Sequence, residues 1–564
     1  MPRLAAYDRG VSVGVSTERL AGTGSVSVDQ SPDQPVADRR PIALPESVRR
    51  RLESVPAWDW RSWAAAGAVT LIAAILRFVN LGYPPGVVFD EVYYATEGQE
   101  LLDHGVEWRT ETDTAGKVLN SYGDFVVHPP LGKWIIALGI RMFGNDAFGW
   151  RFMAAVCGVL SVLIIARTAR RMFGSTVLGA AAGLLMALDG FHFVLSRTAI
   201  LDVFVMFFVV AAFACLVLDR DRRRRLWLAA MQRGLDPSAK GRAGRLRLTW
   251  ATVPWWRLAA AALLGFGSAV KWSAIFFLPI FLLLIFFWEV GLRRTVGAAH
   301  PWRDALLDEL GWMVAMVVLV VAAYLSSWTG WFLTDTGWKR HYFAVERGEP
   351  EPVIFGALRN LWYYHADVLR FHEGLSSPHP YQSWPWQWML MARPVAFYRA
   401  SDIPCAAAQC NAEITLLGTP VLWWAFLPAL VGLAWFGLSR RDWRAAAIGA
   451  MVFAGLVPWF YYELKNRTMF FFYASPLEPF LVLAVVYCLG ALINGPGVGR
   501  FGAGRVRVAN SLPAEDRRLY GTVFAASFIT LVAICFWWYY PLYVAESLPY
   551  EDWMRRMLLG NRWM

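Results

Sequence analysis

Long apolar runs alternate along this chain with short polar stretches. A helix that crosses a bilayer needs about 20 mostly apolar residues. Eleven segments meet or approach that length: 62–81, 148–166, 176–194, 201–218, 257–270, 274–291, 311–330, 417–437, 445–462, 469–493 and 520–540. The fifth is short and polar at its end. The pattern predicts an all-α polytopic integral membrane protein with about eleven transmembrane helices.

Lys and Arg collect in alternate connections, which is the positive-inside pattern. With a cytoplasmic N-terminus, the inside connections carry Arg167, Arg170 and Arg171, then Arg222 to Arg225 with Arg242, Arg245 and Arg247. Arg293 and Arg294 follow, then Arg440, Arg441 and Arg444, and last Arg500, Arg505, Arg507, Arg517 and Arg518. An odd helix count then puts the C-terminus outside. Two outside segments, about 83–147 and 331–416, are too long for simple connectors and rich in aromatics, so they are expected to be functional. Residues 1–55 are polar and rich in Ser, Asp, Pro and Arg, and are expected to be a disordered cytoplasmic tail. Residues 56–564 form the membrane domain. The first apolar run begins near Trp63, too late and too long for a signal peptide, and reads as a retained first helix.

Composition supports the membrane reading: 57% of the residues are apolar, 17% are charged and the mean hydropathy is +0.38. A soluble protein has about 25% charged residues. The net charge of +11 sits in the inside connections, not in a basic groove with interleaved aromatics, which argues against nucleic acid. Of the six cysteines, Cys157, Cys215, Cys488 and Cys535 lie in apolar runs and read as packing residues. Cys405 and Cys410 share an outside polar loop, where a turn could join them in a disulfide.

Three features carry candidate chemistry. Asp90 and Glu91, within Val88-Phe89-Asp90-Glu91-Val92-Tyr93-Tyr94, place two carboxylates just outside the first helix. Carboxylates near hydrocarbon are costly unless hydrated, paired or functional. One could take a proton from an attacking hydroxyl; a solvated loop start is the alternative. Asp124 and His128 precede Pro129-Pro130-Leu131-Gly132-Lys133, where two prolines fix a corner or begin a helix. The spacing does not suggest a metal site. Arg77, Arg151, Arg197 and Lys271, with Asp202 nearby, lie near outside helix ends. Arg and Lys hold phosphate, or snorkel to the membrane surface.

Phe89-Asp90-Glu91-Val92, His128-Pro129-Pro130-Leu131-Gly132-Lys133, Arg151, Leu188-Asp189-Gly190, Ser196-Arg197, Leu201-Asp202 and Val270-Lys271-Trp272 resemble the protein O-mannosyltransferases. Ser383-Trp384-Pro385-Trp386-Gln387-Trp388 and Gly418-Thr419-Pro420 look like the same family, in its bacterial, actinobacterial branch. The resemblance covers about 60–545 and implies a GT-C glycosyltransferase fold in the plasma membrane with an extracytoplasmic site. It implies a polyprenyl phosphate mannose donor and unfolded or translocating Ser/Thr polypeptides as acceptors, with the secretion translocon as a partner. It implies no cofactor and no metal. Asp90 would be the base of an inverting transfer, and Glu91 would position donor or peptide. Arg77, Arg151, Arg197 and Lys271 would face the donor phosphate, with Tyr93, Asp124, His128, Trp384 and Trp386 as further site residues. The chain departs from eukaryotic members in lacking the threefold repeat of a β-trefoil in its second long loop. Two other readings share some features: a GT-C transferase acting on a lipid or polysaccharide, and a transporter. A transporter predicts charges in mid-helix and inverted repeats, neither of which the sequence contains.

Overall fold

Polar residues between the apolar runs start and stop the helices. Asp59, Asp146, Ser175 and Asp442 each accept a backbone N–H at a helix start, from Arg61, Gly149, Leu178 and Arg444 respectively. Each satisfies one of the donors that a helix N-terminus leaves unpaired. Gly105, Gly174 and Gly297 close helices in the left-handed conformation that glycine adopts at least cost.

The computed structural model describes residues 44–53, 59–114, 116–352, 355–401, 403–405, 407–494, 513–558 and 560. In chain order the elements begin with α1 (Glu46–Leu52), α2 (Trp60–Phe78), α3 (Glu91–His104), β1 (Trp108–Thr112) and β2 (Val118–Gly123). Then come α4 (Leu131–Phe143), α5 (Ala147–Phe173), α6 (Thr176–Ala187), α7 (Gly190–Leu195), α8 (Leu201–Gln232) and α9 (Trp255–Ser268). A 3-10 turn, Trp272–Phe276, leads into α10 (Phe277–Val296), followed by α11 (Pro301–Ser326), α12 (Thr329–Leu333), α13 (Tyr342–Arg347), α14 (Phe355–Gly374) and α15 (Pro385–Trp388). The last part holds β3 (Val395–Ser401), β4 (Cys410–Leu416), α16 (Pro420–Arg440), α17 (Trp443–Leu456), α18 (Pro458–Leu464) and α19 (Glu478–Asn494). It ends with α20 (Ala514–Tyr539), β5 (Leu548–Pro549) and α21 (Tyr550–Arg555).

Among the described residues, eight helical stretches are long and apolar enough to cross a membrane: Trp60–Phe78, Ala147–Phe173, Leu201–Gln232, Trp272–Val296, Pro301–Ser326, Pro420–Arg440, Trp443–Leu464 and Glu515–Tyr543. This is a multi-pass membrane protein. The other three expected spans hold the shorter helices α6, α9 and α19. The segment expected at 176–194 is cut at Asp189, whose carboxylate accepts from the Thr419 N–H at 2.7 Å and the Trp423 indole at 3.0 Å. A helix running through this point could not pin the start of α16. Gly190 is needed beside it, because a Cβ there would lie 2.1 Å from the Tyr543 ring. The segment expected at 469–493 becomes α-helix only at Glu478, after the 3-10 turn Phe471–Ala474.

Two expectations are corrected. The chain is not all-α: β1 and β2 form an antiparallel hairpin, and β3, β4 and β5 form a three-stranded antiparallel sheet. Strands β1 to β4 lie in the two long segments, where β-branched and aromatic residues such as Thr110, Val118, Phe397 and Ile414 favour extended backbone, and β5 joins from beyond α20. Within the expected tail, residues 46–52 form α1, because Val48 and Leu52 pack with Trp227, Met231 and Leu292. Residues 1–43 of that tail lie outside the described residues. Helices α8 and α19 are the buried centre, while α11 and α20 expose most of their apolar surface at the rim.

Cys405 and Cys410 are joined in a disulfide at the β3–β4 connection, with Cα atoms 6.2 Å apart. Neither should react with a maleimide in the folded protein until reductant is added. Labelling of both in unreduced protein would contradict the pairing.

Candidate active site

Phe89 adopts a positive φ of 47° just before Asp90, the N-cap of α3, and Glu91 is the first residue of that helix. Glu91 faces inward and is fully buried. It accepts from Arg151 Nε at 2.8 Å and Nη2 at 2.9 Å, and from the backbone N–H groups of Val88 and Ala199 at 2.9 and 2.8 Å. Arg151 also donates to the carbonyls of Leu81, Pro84 and Gly86. One ion pair therefore ties the loop after α2 to α5 and to the start of α8.

Asp90, at the α3 N-cap, makes no capping hydrogen bond and faces other charges. Burial, opposed by the Lys271 ammonium and reinforced by the Asp202 carboxylate, raises its pKa to about 6. Lys271 donates to Asp202 at 2.6 Å, and its Nζ lies 5.5 Å from the Phe472 ring and 5.4 Å from the Tyr473 ring. Lys271, Asp202, His128, His372, Glu373, Arg467 and Tyr473 are among the polar residues that line a cavity of about 350 Å³. Its apolar lining includes Ile275, Phe276, Val320, Val321, Leu369 and Trp459.

Arg467 is held by α14. Its Nε donates to the His372 carbonyl at 3.1 Å and its Nη2 lies 3.2 Å from His372 Nδ1. His372 Nε2 lies 3.0 Å from the Val127 carbonyl. Donation to that carbonyl leaves Nδ1 as the acceptor for the guanidinium. Burial and Arg467 push the His372 pKa down to about 4, so the ring is neutral. His128 is pushed well below the usual histidine range by burial and by Lys271. Its ring lies 5.5 Å from that of His372 and 6.3 Å from that of Tyr94.

The expected site is thus only partly assembled. Asp90, His128 and Lys271 come together. Of the four cations expected at the donor phosphate, Lys271 lines this cavity and Arg77, Arg151 and Arg197 do not. Arg151 is committed to Glu91. Arg197 donates to the carbonyls of Leu76, Arg77, Val79 and Asn80. Arg77 is fully buried against His192 Nδ1 at 2.6 Å and the Ala73 and Ala187 carbonyls. Glu91 likewise faces protein and not the cavity. Asp124 accepts from its neighbour Phe125 and sits near Arg109, at 3.8 Å. Tyr93 is 62% exposed, while its neighbour Tyr94 is buried beside His128. Trp384 and Trp386 do not line the cavity; Trp388 of the same stretch is buried and packs on Trp459 and Tyr473. Lys133 is fully buried between Glu107 at 2.5 Å and Glu97 at 3.3 Å. Burial, opposed by Lys133, lifts Glu97 to about 7.

Arg467, His372, Tyr94 and Tyr473 were not singled out from sequence. Arg467 and Tyr473 flank the start of an apolar run and read as part of it. An Arg beside four consecutive aromatics, Phe470 to Tyr473, was the available signal.

The sequence matches two family models: "Dolichyl-phosphate-mannose-protein mannosyltransferase" over residues 67–294, and "C-terminal four TMM region of protein-O-mannosyltransferase" over residues 357–563. The chain belongs to the protein O-mannosyltransferase family. A polyprenol-phosphate-mannose–protein mannosyltransferase of Mycolicibacterium smegmatis is 38% identical over 94% of this chain and 98% of its own. Enzymes of the same name from Mycobacterium tuberculosis and Corynebacterium glutamicum are 36% and 30% identical, covering 93% and 92% of this chain and 95% and 96% of their own. The yeast protein O-mannosyltransferase Pmt1–Pmt2 complex bound to the sugar donor shares the fold, with a TM-score of 0.64 at 12% identity over 91% of this chain and 94% of that one. The fold is that of a GT-C glycosyltransferase.

Arg151→Ala should destabilise the protein severely, because it strands the buried Glu91 carboxylate. Breaking a buried pair from one side costs about 3–5 kcal/mol. Thermal unfolding in detergent measures it; an unchanged midpoint would show that the pair does not hold this loop.

Proposed function

We propose that this glycosyltransferase moves mannose from a polyprenyl phosphate to Ser or Thr hydroxyls of proteins, with Asp90 as the base. The observation that carries the reading is a cavity lined by many apolar side chains that also presents Lys271 and Arg467, with Asp202 and Glu373, and a partly buried carboxylate, Asp90, close to Lys271. A polyprenyl phosphate has parts to match: an apolar tail, then a phosphate, then a sugar. The tail fits along Phe276, Val320, Val321 and Leu369, and the phosphate fits against Lys271 and Arg467. Lys271 supplies a point charge, while Arg467 supplies a planar fork oriented by His372. These cations offset the charge that grows on the phosphate as the sugar leaves. The reading calls on no metal and no cofactor.

Asp90 takes the proton from the acceptor hydroxyl as its oxygen bonds to the sugar's C1. The C1–O bond to phosphate breaks on the opposite side, so the carbon inverts. A pKa near 6 keeps the carboxylate ionised at neutral pH and more basic than an ordinary aspartate. Asp202, already paired with Lys271, is less free to act as that base. We place the cavity on the extracytoplasmic face of the plasma membrane, with the N-terminus cytoplasmic and the C-terminus outside, from the distribution of Arg and Lys between connections. Acceptors on that face are polypeptides met before they fold, as they leave the secretion translocon.

Asp90→Asn keeps the shape and removes the base, so turnover should fall by about a hundredfold to ten-thousandfold while the unfolding midpoint holds. In the unsubstituted enzyme kcat/KM should decline as pH drops through about 6, where Asp90 gains its proton. Turnover of Asp90→Asn equal to that of the parent would rule Asp90 out as the base.

Lys271→Gln and Arg467→Gln should each raise the KM for donor well above any change in the KM for peptide. Steady-state kinetics with each substrate varied in turn decides this. Equal effects on both substrates would remove the phosphate role.

A further inference from the structure

A second cluster of cations lies at the far end of α8 from the cavity. Arg220 is about 27 Å along the helix from Asp202, close to the thickness of a bilayer core. It therefore sits at the opposite membrane face. Its side chain is nine-tenths buried, with the guanidinium 3.4 Å from the centre of the Trp443 ring and 5.7 Å from that of Trp288. Its nearest carboxylate, Asp221, is 3.8 Å away and already accepts from Arg171 at 2.9 Å. Arg224 lies beside it, half-buried, facing Asp221 and Arg444. Asp442, the other nearby acid, accepts from Arg444 and from the Tyr487 hydroxyl. Among the described residues, neither Arg220 nor Arg224 has a hydrogen-bond acceptor. This contrasts with Arg223 and Arg257 on the same side, which are fully paired with Glu289, Glu309 and Asp219.

We propose that Arg220 and Arg224 bind the phosphate of an anionic phospholipid in the leaflet opposite the donor. Two guanidiniums without acceptors at a membrane face are the chemistry that holds a phosphodiester. Lipid is favoured over a soluble phosphate because Arg220 packs on Trp443 and Trp288, which lie within helices long and apolar enough to cross a membrane. On α16, just before Arg440, Trp435 is 71% exposed and Leu438 is 82% exposed, and both can meet acyl chains. Trp443 and Trp288, which meet edge to face beside Arg220, suit the headgroup region. This site is independent of the donor cavity.

The test uses the full-length protein in neutral detergent with three probes: phosphatidylglycerol, phosphatidylcholine of the same acyl chains, and inorganic phosphate. Phosphatidylglycerol alone should raise the unfolding midpoint and remain bound in native mass spectrometry. Arg224→Gln should weaken its binding about fivefold, with mannosyl transfer unchanged. Arg220→Lys, which keeps the charge but loses the planar fork, should also weaken it. Equal stabilisation by phosphatidylcholine would overturn the proposal. So would inorganic phosphate reproducing the whole gain, which would make the ligand a soluble anion. Undiminished phosphatidylglycerol binding by Arg224→Gln and Arg220→Lys would also overturn it.

Discussion

The buried pair between Glu91 and Arg151 sets the geometry on which the site depends. Glu91 takes four donors at once, two from the guanidinium and one each from the Val88 and Ala199 backbone. Arg151 spends its remaining donors on the carbonyls of the preceding loop. A charge pair out of water offsets its desolvation only with this degree of hydrogen bonding. The result is a loop fixed at both ends, so that Asp90, the residue before Glu91, is held near Lys271 and Asp202 without a capping bond of its own. The two carboxylates are adjacent in sequence and do opposite jobs: one is consumed by structure and the other is kept available.

The same division recurs across the membrane domain. Most intramembrane charges here are satisfied by protein. Arg257 and Arg223 share Glu289 and Glu309, and Arg293 joins the same two acids. Such networks join α8, α9, α10 and α11 into one unit. Lys271 and Arg467 differ because they border open space. Lys271 is paired with Asp202, yet it also faces the Asp90 carboxyl and the rings of Phe472 and Tyr473. A cation held this way can meet a phosphate without moving far, which is the preorganisation that transfer of a charged group demands.

Helix α14 shows how a loop outside the hydrocarbon completes the site. Tyr364 on it donates to the Val126 carbonyl and accepts from the Val126 N–H, and His372 reaches Val127 and Arg467. The helix thereby fixes the segment that carries His128. Residues 126, 372 and 467 are brought together from three separate parts of the chain, and none of them reads as a site on local grounds.

The apolar runs by themselves determined the membrane class and the places of the eight long apolar helices among the described residues, because burial in hydrocarbon demands long uninterrupted apolar stretches. The motif around Asp90 was legible for the same reason: charge beside hydrocarbon is expensive enough to stand out. Where the side chains point was not legible. Spacing could not separate Arg151, Arg197 and Arg77, which are consumed by carbonyls and carboxylates, from Lys271, which borders the cavity. It also could not expose Arg467 and His372 as partners, or the break at Asp189. Such assignments depend on which hydrogen-bond acceptors lie within about 3 Å. That is a property of contacts between residues distant in sequence, and only the packed structure decides it.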